Sequence, residues 1–425
     1  MKNFIEELRW RGMLHDSTPG IEDHLNEKMR VGYIGFDPTA PSMTIGNYVQ
    51  LMLLTIFQKC GHKPIVLMGG ATGRVGDPSG KDKERELKSY DVLDHNLSFQ
   101  LKQAQKFLNF VEGENKAEIV NNLDFYKEMN VLDFLRNVGK TLTINYMMSK
   151  ESVKKRVETG LSFTEFSYQL LQAYDFQCLF QNHQVTLQMG GSDQWGNITS
   201  GTEFIRRNIQ GKAYAVTTPL LTKADGSKFG KSEEGNIWLD ANMTTPYKFY
   251  QFWVNASDQD INKFMRYFTL KTKEEVEAAE IEFADNPNAI KRMLAEELTI
   301  RVHSEEAFNS VQKVSNILFN KKANKESLMA LAQIDLQIVS EEIPSFNISK
   351  DSLSNGLNIV DLLAEETQIL NSKSDARRAI KGNAISVNKD KINSHETNIN
   401  QDILLHGKYF MVENGKKNKF MVIAE

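Results

Sequence analysis

A compact apolar run at 64–68 stops at a glycine pair, Gly69-Gly70, and a second strand-like run at 185–189 stops in the same way at Gly190-Gly191. A run as short and unbroken as 64–68 suits a strand buried on both faces. A third strand-like run, Val31–Phe36, ends in Asp37-Pro38-Thr39. Residues 46–60 follow with apolar Val49, Leu51, Leu53, Leu54, Ile56 and Phe57 in a helical stretch. Strands alternating with helices, with glycines at the strand ends, predict a parallel α/β sheet. Ligands of such sheets gather at the carboxyl ends of the strands. The Gly and Asp clusters of this chain fall there.

The 425 residues leave room for about three domains. Hydrophobic residues make up 40% and charged residues 25%, which excludes a disordered chain. Cys60 and Cys178 are too few for a disulfide framework or a cysteine-based zinc site. No apolar run approaches the length of a membrane-spanning helix. Glu6 and Glu7 stand where a signal peptide would carry its apolar core. The expected compartment is the reducing cytoplasm, with no membrane partner. A net charge of −4 means that any nucleic-acid binding must come from a local patch.

Beyond about residue 240 the character changes. Residues 243–320 are charged, free of glycine and helix-like. Residues 340–356, polar with one Pro and one Gly, read as a linker. Residues 371–420 hold ten Lys and Arg against five Asp and Glu, a small basic module or simply a solvated charged face.

Three segments carry possible chemistry. Residues 69–81 form a Gly-rich stretch after the 64–68 run, but Val75 and Asp82 stand where a P-loop requires Gly and Ser or Thr. A helix starting near Ser79 would put Lys81 and Arg85 on one face near its N-terminus, a good place for phosphate. Lys228-Phe229-Gly230-Lys231-Ser232 puts two lysines on a Gly-containing loop. Thr164 is a candidate cap for a helix that places Tyr168, Gln172 and Asp175 on one face. That stripe is either a solvent face or a pocket wall offering a phenol, an amide and a carboxylate.

The segment 35–47, Gly-Phe-Asp-Pro-Thr-Ala-Pro-Ser-Met-Thr-Ile-Gly-Asn, resembles the "HIGH" motif of class I aminoacyl-tRNA synthetases. Lys228–Ser232 is similar to their "KMSKS" loop. Residues 70–81, 168–176 and 190–197 extend the resemblance to the bacterial tyrosyl-tRNA synthetases. Around Ser374–Ile380 and 382–388 the chain is similar to that family's S4 RNA-binding module. Thr44 and Asn47 stand in place of the two His of the "HIGH" pattern, and Ile34 where the family often has Cys.

The resemblance implies a Rossmann-like parallel-sheet catalytic domain with a dimer-forming insertion at 1–225, a KMSKS-type loop and helical tRNA-binding domain at 226–345, and a small α+β S4-like RNA-binding domain at 355–425. It implies ATP-dependent ligation of tyrosine to tRNA(Tyr) through an adenylate, with Mg2+ accompanying ATP and no protein-bound metal. Tyr33 and Asp175 would hold the phenol hydroxyl, and Asp77, Tyr168 and Gln172 the α-ammonium. Gln194 would lie near the tyrosine carboxylate, and Asp193 on the ATP ribose. Asp37, Gly46 and Asn47 would join the ATP site. Thr39, Lys81, Arg85, Lys228 and Lys231 would meet the phosphates. Arg377, Arg378 and Lys381 would contact RNA. A homodimer is expected, with 131–161 forming the interface through Val131, Leu132, Phe134, Leu135, Ile144, Tyr146, Met147 and Met148, joined by Phe163.

Two other readings compete. A synthetase-like RNA-binding protein without aminoacylation is supported by Thr44 alone, and Asp77, Lys81, Lys228 and Lys231 weigh against it. A tryptophan–tRNA ligase shares the fold and both ATP motifs, but Tyr33 with Asp175 and the C-terminal module disfavour it.

Overall fold

The computed structural model describes residues 3–79, 87–157, 160–227, 229–232, 235–320, 322–415 and 418–425. Its first sheet has five parallel strands: β1 (Val31–Phe36), β2 (Lys63–Met68), β3 (Glu118–Asn121), β4 (Val185–Gly191) and β5 (Tyr214–Thr218), in the order β3-β2-β1-β4-β5. Strand order reverses beside β1, which pairs with β2 on one side and β4 on the other. A crevice opens at such a switch point, outside the carboxyl ends of the two strands.

Helix Ile45–Lys59 buries ten of its fifteen residues, among them Val49, Leu51, Leu53, Leu54, Ile56 and Phe57. Its start is fixed by Thr44, whose Oγ1 accepts from the Asn47 amide, while Asn47 Oδ1 accepts from the Thr44 N–H. This capping box satisfies backbone donors that a helix start leaves orphaned. Helix Phe163–His183 is capped by Ser162, two residues before the Thr164 read from sequence, and packs along helix Trp195–Ile209. Tyr33, Ile65, Leu67, Val120, Phe176, Leu179, Val185 and Ile205 form the core between sheet and helices.

Contacts divide the chain into two units: Met1–Thr244 with Phe252–Leu298, and Thr245–Gln251 with Thr299–Glu425. The helical stretch read from sequence is therefore shared between them. The second unit joins helices Glu305–Phe319, Lys325–Met329 and Gln333–Glu342 to a five-stranded sheet. Its strand order is Asp390–Lys391, Ile385–Val387, Tyr409–Asn414, Asn418–Ala424, Ser345–Ile348. All neighbours are antiparallel except the last pair.

The expected linker at 340–356 is thus overturned. Ser345–Ile348 is the edge strand of this sheet, and Lys350–Ser354 is a helix that buries Leu353. Lys419 crosses to the end of helix Glu305–Phe319 and donates to the carbonyls of Ile317 and Leu318, both at 2.7 Å. A cation at a helix C-terminus meets orphan carbonyls and the negative end of the dipole.

Candidate active site

At the carboxyl ends of β1 and β4 lies a cleft of about 620 Å³, within the range of small-molecule sites. Tyr33, Asp37, Thr39, Gly46, Asn47, Asp77, Tyr168, Gln172, Asp175, Asp193 and Gln194 all line it. The sequence stripe of Tyr168, Gln172 and Asp175 is therefore a pocket wall and not a solvent face. Lys81, Arg85 and Lys228 lie outside the described residues, as does the Lys231 side chain. The Lys231 backbone forms a two-residue strand with Gly235–Asn236.

Backbone contacts bring the two ATP-type motifs together. Thr44 bridges Trp238, Ile45 N–H donates to Ile237 O at 3.0 Å, and Ile237 N–H donates to Gly230 O at 3.1 Å. Gly230 has φ +87°, and a Cβ there would lie 3.2 Å from Ile45 Cγ1. Only a residue without a side chain fits that turn comfortably.

One network runs along the cleft floor. Tyr168 OH donates to Asp37 Oδ2 at 2.8 Å, and Thr72 Oγ1 donates to Asp37 Oδ1 at 2.7 Å. Asn122 Nδ2 then links Thr72 Oγ1 at 3.0 Å to Asp175 Oδ2 at 2.8 Å. Tyr126 OH donates to the other oxygen, Asp175 Oδ1, at 2.7 Å. The turn after β2 makes this approach possible, since a Cβ on Gly69 would sit 2.1 Å from Asp37 Oδ1.

Asp175 is 1% exposed. Burial pushes its carboxyl up to about 7, opposed by the donors Asn122 and Tyr126 and reinforced by the charge of Asp37. The Tyr33 ring packs edge-on against Phe176 at 5.2 Å. Its hydroxyl is buried with no hydrogen-bond partner among the described residues, and burial raises its pKa well above the ordinary phenol value. A buried polar atom without a partner calls for an explanation, and a ligand hydroxyl supplies one.

A second group surrounds Asp77. Its Oδ2 accepts from Gln194 Nε2 at 2.7 Å, and its Oδ1 from the Ser79 N–H at 2.9 Å and Asn197 Nδ2 at 3.3 Å. Gln172 Oε1 lies 3.2 Å from the same Asn197 nitrogen. Ser79 Oγ and Gln194 Oε1 also lie within reach of that nitrogen, so four acceptors share its two hydrogens, which suits an ammonium group with three hydrogens to give. Among the described residues no His, Cys, Asp and Glu group is arranged to hold a metal.

Sequence reading missed Asn122, Tyr126 and the part played by Asn197. Asn122 follows directly on the carboxyl end of β3, a position that could have marked it. Nothing in the spacing marks Tyr126.

Residues 25–320 match the family model of class I tRNA synthetases for tryptophan and tyrosine. The chain belongs to that family. Residues 335–422 match the C-terminal domain of tyrosine–tRNA ligases. The chain is 54% identical to the tyrosine–tRNA ligase of Cytophaga hutchinsonii, over 99% of each chain, and 51% identical to that of Bacteroides thetaiotaomicron, over 100% of each. Among solved structures, a C-terminally truncated mitochondrial tyrosyl-tRNA synthetase from Aspergillus nidulans superposes with a TM-score of 0.68 at 30% identity. That match covers 75% of this chain and 95% of the other. Within this class I family, the capping box explains how the first turn of helix Ile45–Lys59 is held with Thr44 and Asn47 in the two "HIGH" histidine positions.

The second unit places Arg377, Arg378 and Lys381 exposed on helix Lys373–Lys381, with Arg378 paired to Asp375. Not every cation of the basic segment faces solvent. Lys389 is buried against Glu413 at 2.7 Å, and Lys419 is held by the carbonyls described above.

Proposed function

We infer that the chain is an ATP-dependent ligase that joins L-tyrosine to tRNA(Tyr). A tyrosine carboxylate oxygen attacks the α-phosphorus of ATP, the bond to the β-phosphate bridge breaks, and pyrophosphate leaves. The terminal adenosine hydroxyl of the tRNA then attacks the adenylate carbonyl, and AMP leaves. Neither step requires a covalent enzyme intermediate, so catalysis rests on positioning and on cations that meet developing phosphate charge.

One observation carries the choice of tyrosine. The buried, unpartnered Tyr33 hydroxyl and the Asp175 carboxylate share one part of the floor, and the acceptor-rich Asp77 group lies near Gln172, one helical turn before Asp175. A phenol and an ammonium fit those two needs. Phenylalanine would leave the Tyr33 hydroxyl buried without a partner. Tyr168, Gln172 and Asp77 are assigned to the ammonium, Gln194 to the carboxylate region, and Asp193 to the ribose. Asp37, Gly46 and Asn47 are assigned to the ATP side. Thr39, Lys81, Arg85, Lys228 and Lys231 are assigned to the phosphates. Mg2+ enters with ATP as the counter-ion of its phosphates, and no resident metal is required.

Pyrophosphate exchange into ATP is the test. Exchange should depend on tyrosine and not on tryptophan. Exchange with tryptophan would move the assignment to the sister activity, and none with either would leave only RNA binding.

The functional parts proposed are 1–225 for adenylate formation, 226–345 for the KMSKS-type loop and helical tRNA binding, and 355–425 for the S4-like RNA contact. Arg377, Arg378 and Lys381 are assigned to tRNA phosphates, so tRNA binding should weaken steeply with salt. Truncation after Glu342 should spare exchange and abolish tRNA charging. A cut after Lys350 would instead leave the Ser345–Ile348 strand without its partner.

A homodimer in the cytoplasm is also proposed. Val131, Leu132, Leu135, Ile144 and Phe163 are 50–75% exposed, a cluster of large apolar side chains that a second copy would cover. Met147 instead lies in a core cluster with Val138, Leu142 and Phe204, against which Phe134 and Tyr146 are partly buried, so these three are less available than the sequence reading had them. A monomeric mass at micromolar concentration with full activity would refute the dimer.

A further inference from the structure

Asn197, in the first turn of helix Trp195–Ile209, is 2% exposed. Its Nδ2 lies 3.1 Å from Ser79 Oγ, 3.2 Å from Gln172 Oε1, 3.3 Å from Asp77 Oδ1 and 3.4 Å from Gln194 Oε1. A carboxamide nitrogen carries two hydrogens, so four acceptors compete for two donors. The acceptors come from separate parts of the unit: the segment after β2, helix Phe163–His183 and the turn after β4. Asn197 contacts all three.

We propose that Asn197 is the positioning residue of the ammonium subsite. It holds Asp77, Gln172 and Gln194 at a common spacing by donating to them in turn. When the substrate ammonium arrives with three hydrogens of its own, it takes over part of that donation, and the Asn197 amide settles on the acceptors left. The acceptors are thereby preorganised, so binding does not have to gather them from three elements. This inference rests on the assignment of Asp77 and Gln172 to the ammonium, and it adds a group that does not itself touch substrate.

The test compares three probes on full-length enzyme: L-tyrosine, tyramine and 3-(4-hydroxyphenyl)propionate. The first two carry the ammonium and the third lacks it. Asn197→Ala should weaken tyrosine and tyramine by roughly tenfold or more while the propionate changes by no more than about twofold. Equal weakening of all three would mean general structural damage and overturn the proposal, as would no change in any. Asn197→Leu keeps the side-chain volume and removes the donor, so it gives the same readout if the alanine variant does not fold. Asp77→Asn separates the two levels. If it leaves the tyrosine-to-propionate affinity ratio unchanged, the ammonium assignment itself fails. If it lowers the ratio and Asn197→Leu does not, the positioning role alone fails.

Discussion

At Asp175 both carboxylate oxygens already accept a hydrogen bond, from Asn122 and Tyr126, inside a surround that leaves 1% of the residue exposed. Asp77 also accepts on both oxygens, but there the Asn197 amide is shared with Ser79, Gln172 and Gln194, more acceptors than it has hydrogens, and Gln172 and Gln194 are only half-buried. The first region is dry and has its donors in place, so a charge is costly there and the carboxyl is pushed up to about 7. The second is more open and short of donors, so it favours a cation. Under the proposed assignment, the difference lets one cleft read a neutral hydroxyl and a charged ammonium one helical turn apart by setting burial and donor supply separately.

The strongest way to break this comparison is Asp175→Asn. It should weaken tyrosine by about a hundredfold and leave ATP affinity unchanged, measured by equilibrium dialysis. A change within about 0.5 kcal/mol would detach Asp175 from the phenol subsite. Tyr126→Phe removes one of the two donors that hold the carboxylate form. Tyrosine affinity at pH 7 should fall about fivefold, and the pH midpoint of binding should move up, because the loss raises the Asp175 pKa further. An unmoved midpoint would detach Tyr126 from the phenol region.

The smallest effect expected is in the unmodified enzyme. If the phenol donates to an ionised Asp175, lowering the pH from 8 to 6.5 should weaken tyrosine about fourfold, following the ionised fraction of a group near 7. Stability runs the other way. The folded-state pKa lies above the ordinary 3.8, so the protonated form favours folding, and that contribution is lost as pH rises through about 7. Thermal unfolding should therefore show Asp175→Asn gaining on the wild type between about pH 4 and pH 7 and holding that gain above it.

The parallel sheet was legible from three of its strands, two of them stopping at glycine pairs and one at Asp37-Pro38; β3 and β5, which end at Asn121 and Thr218 with no glycine after them, were not read. The stripe of Tyr168, Gln172 and Asp175 was legible as a face, but not as a wall, since periodicity cannot say what covers a face. Tyr126 was not legible, because its contact with Asp175 spans 49 residues of chain and leaves no pattern. The Ser345–Ile348 strand was missed for a related reason: it is four residues long, Ser-Phe-Asn-Ile, in a polar stretch, and its partner lies more than 70 residues on. Charge counting misplaced Lys389 and Lys419, whose partners, Glu413 and the end of a distant helix, are invisible to composition.

The Lys419 clamp bears on the order in which the molecule is made. The first sheet has all five strands once Thr218 is synthesised. The second unit waits far longer. Helix Glu305–Phe319 receives its terminal cation, and strand Ser345–Ile348 its neighbour, only from the stretch Asn418–Ala424. A growing chain that folds from its N-terminus therefore has the strands that frame its cleft in hand well before its second unit can close. Premature release between about residues 300 and 417 would yield a chain with a folded first sheet and a second unit that never closes.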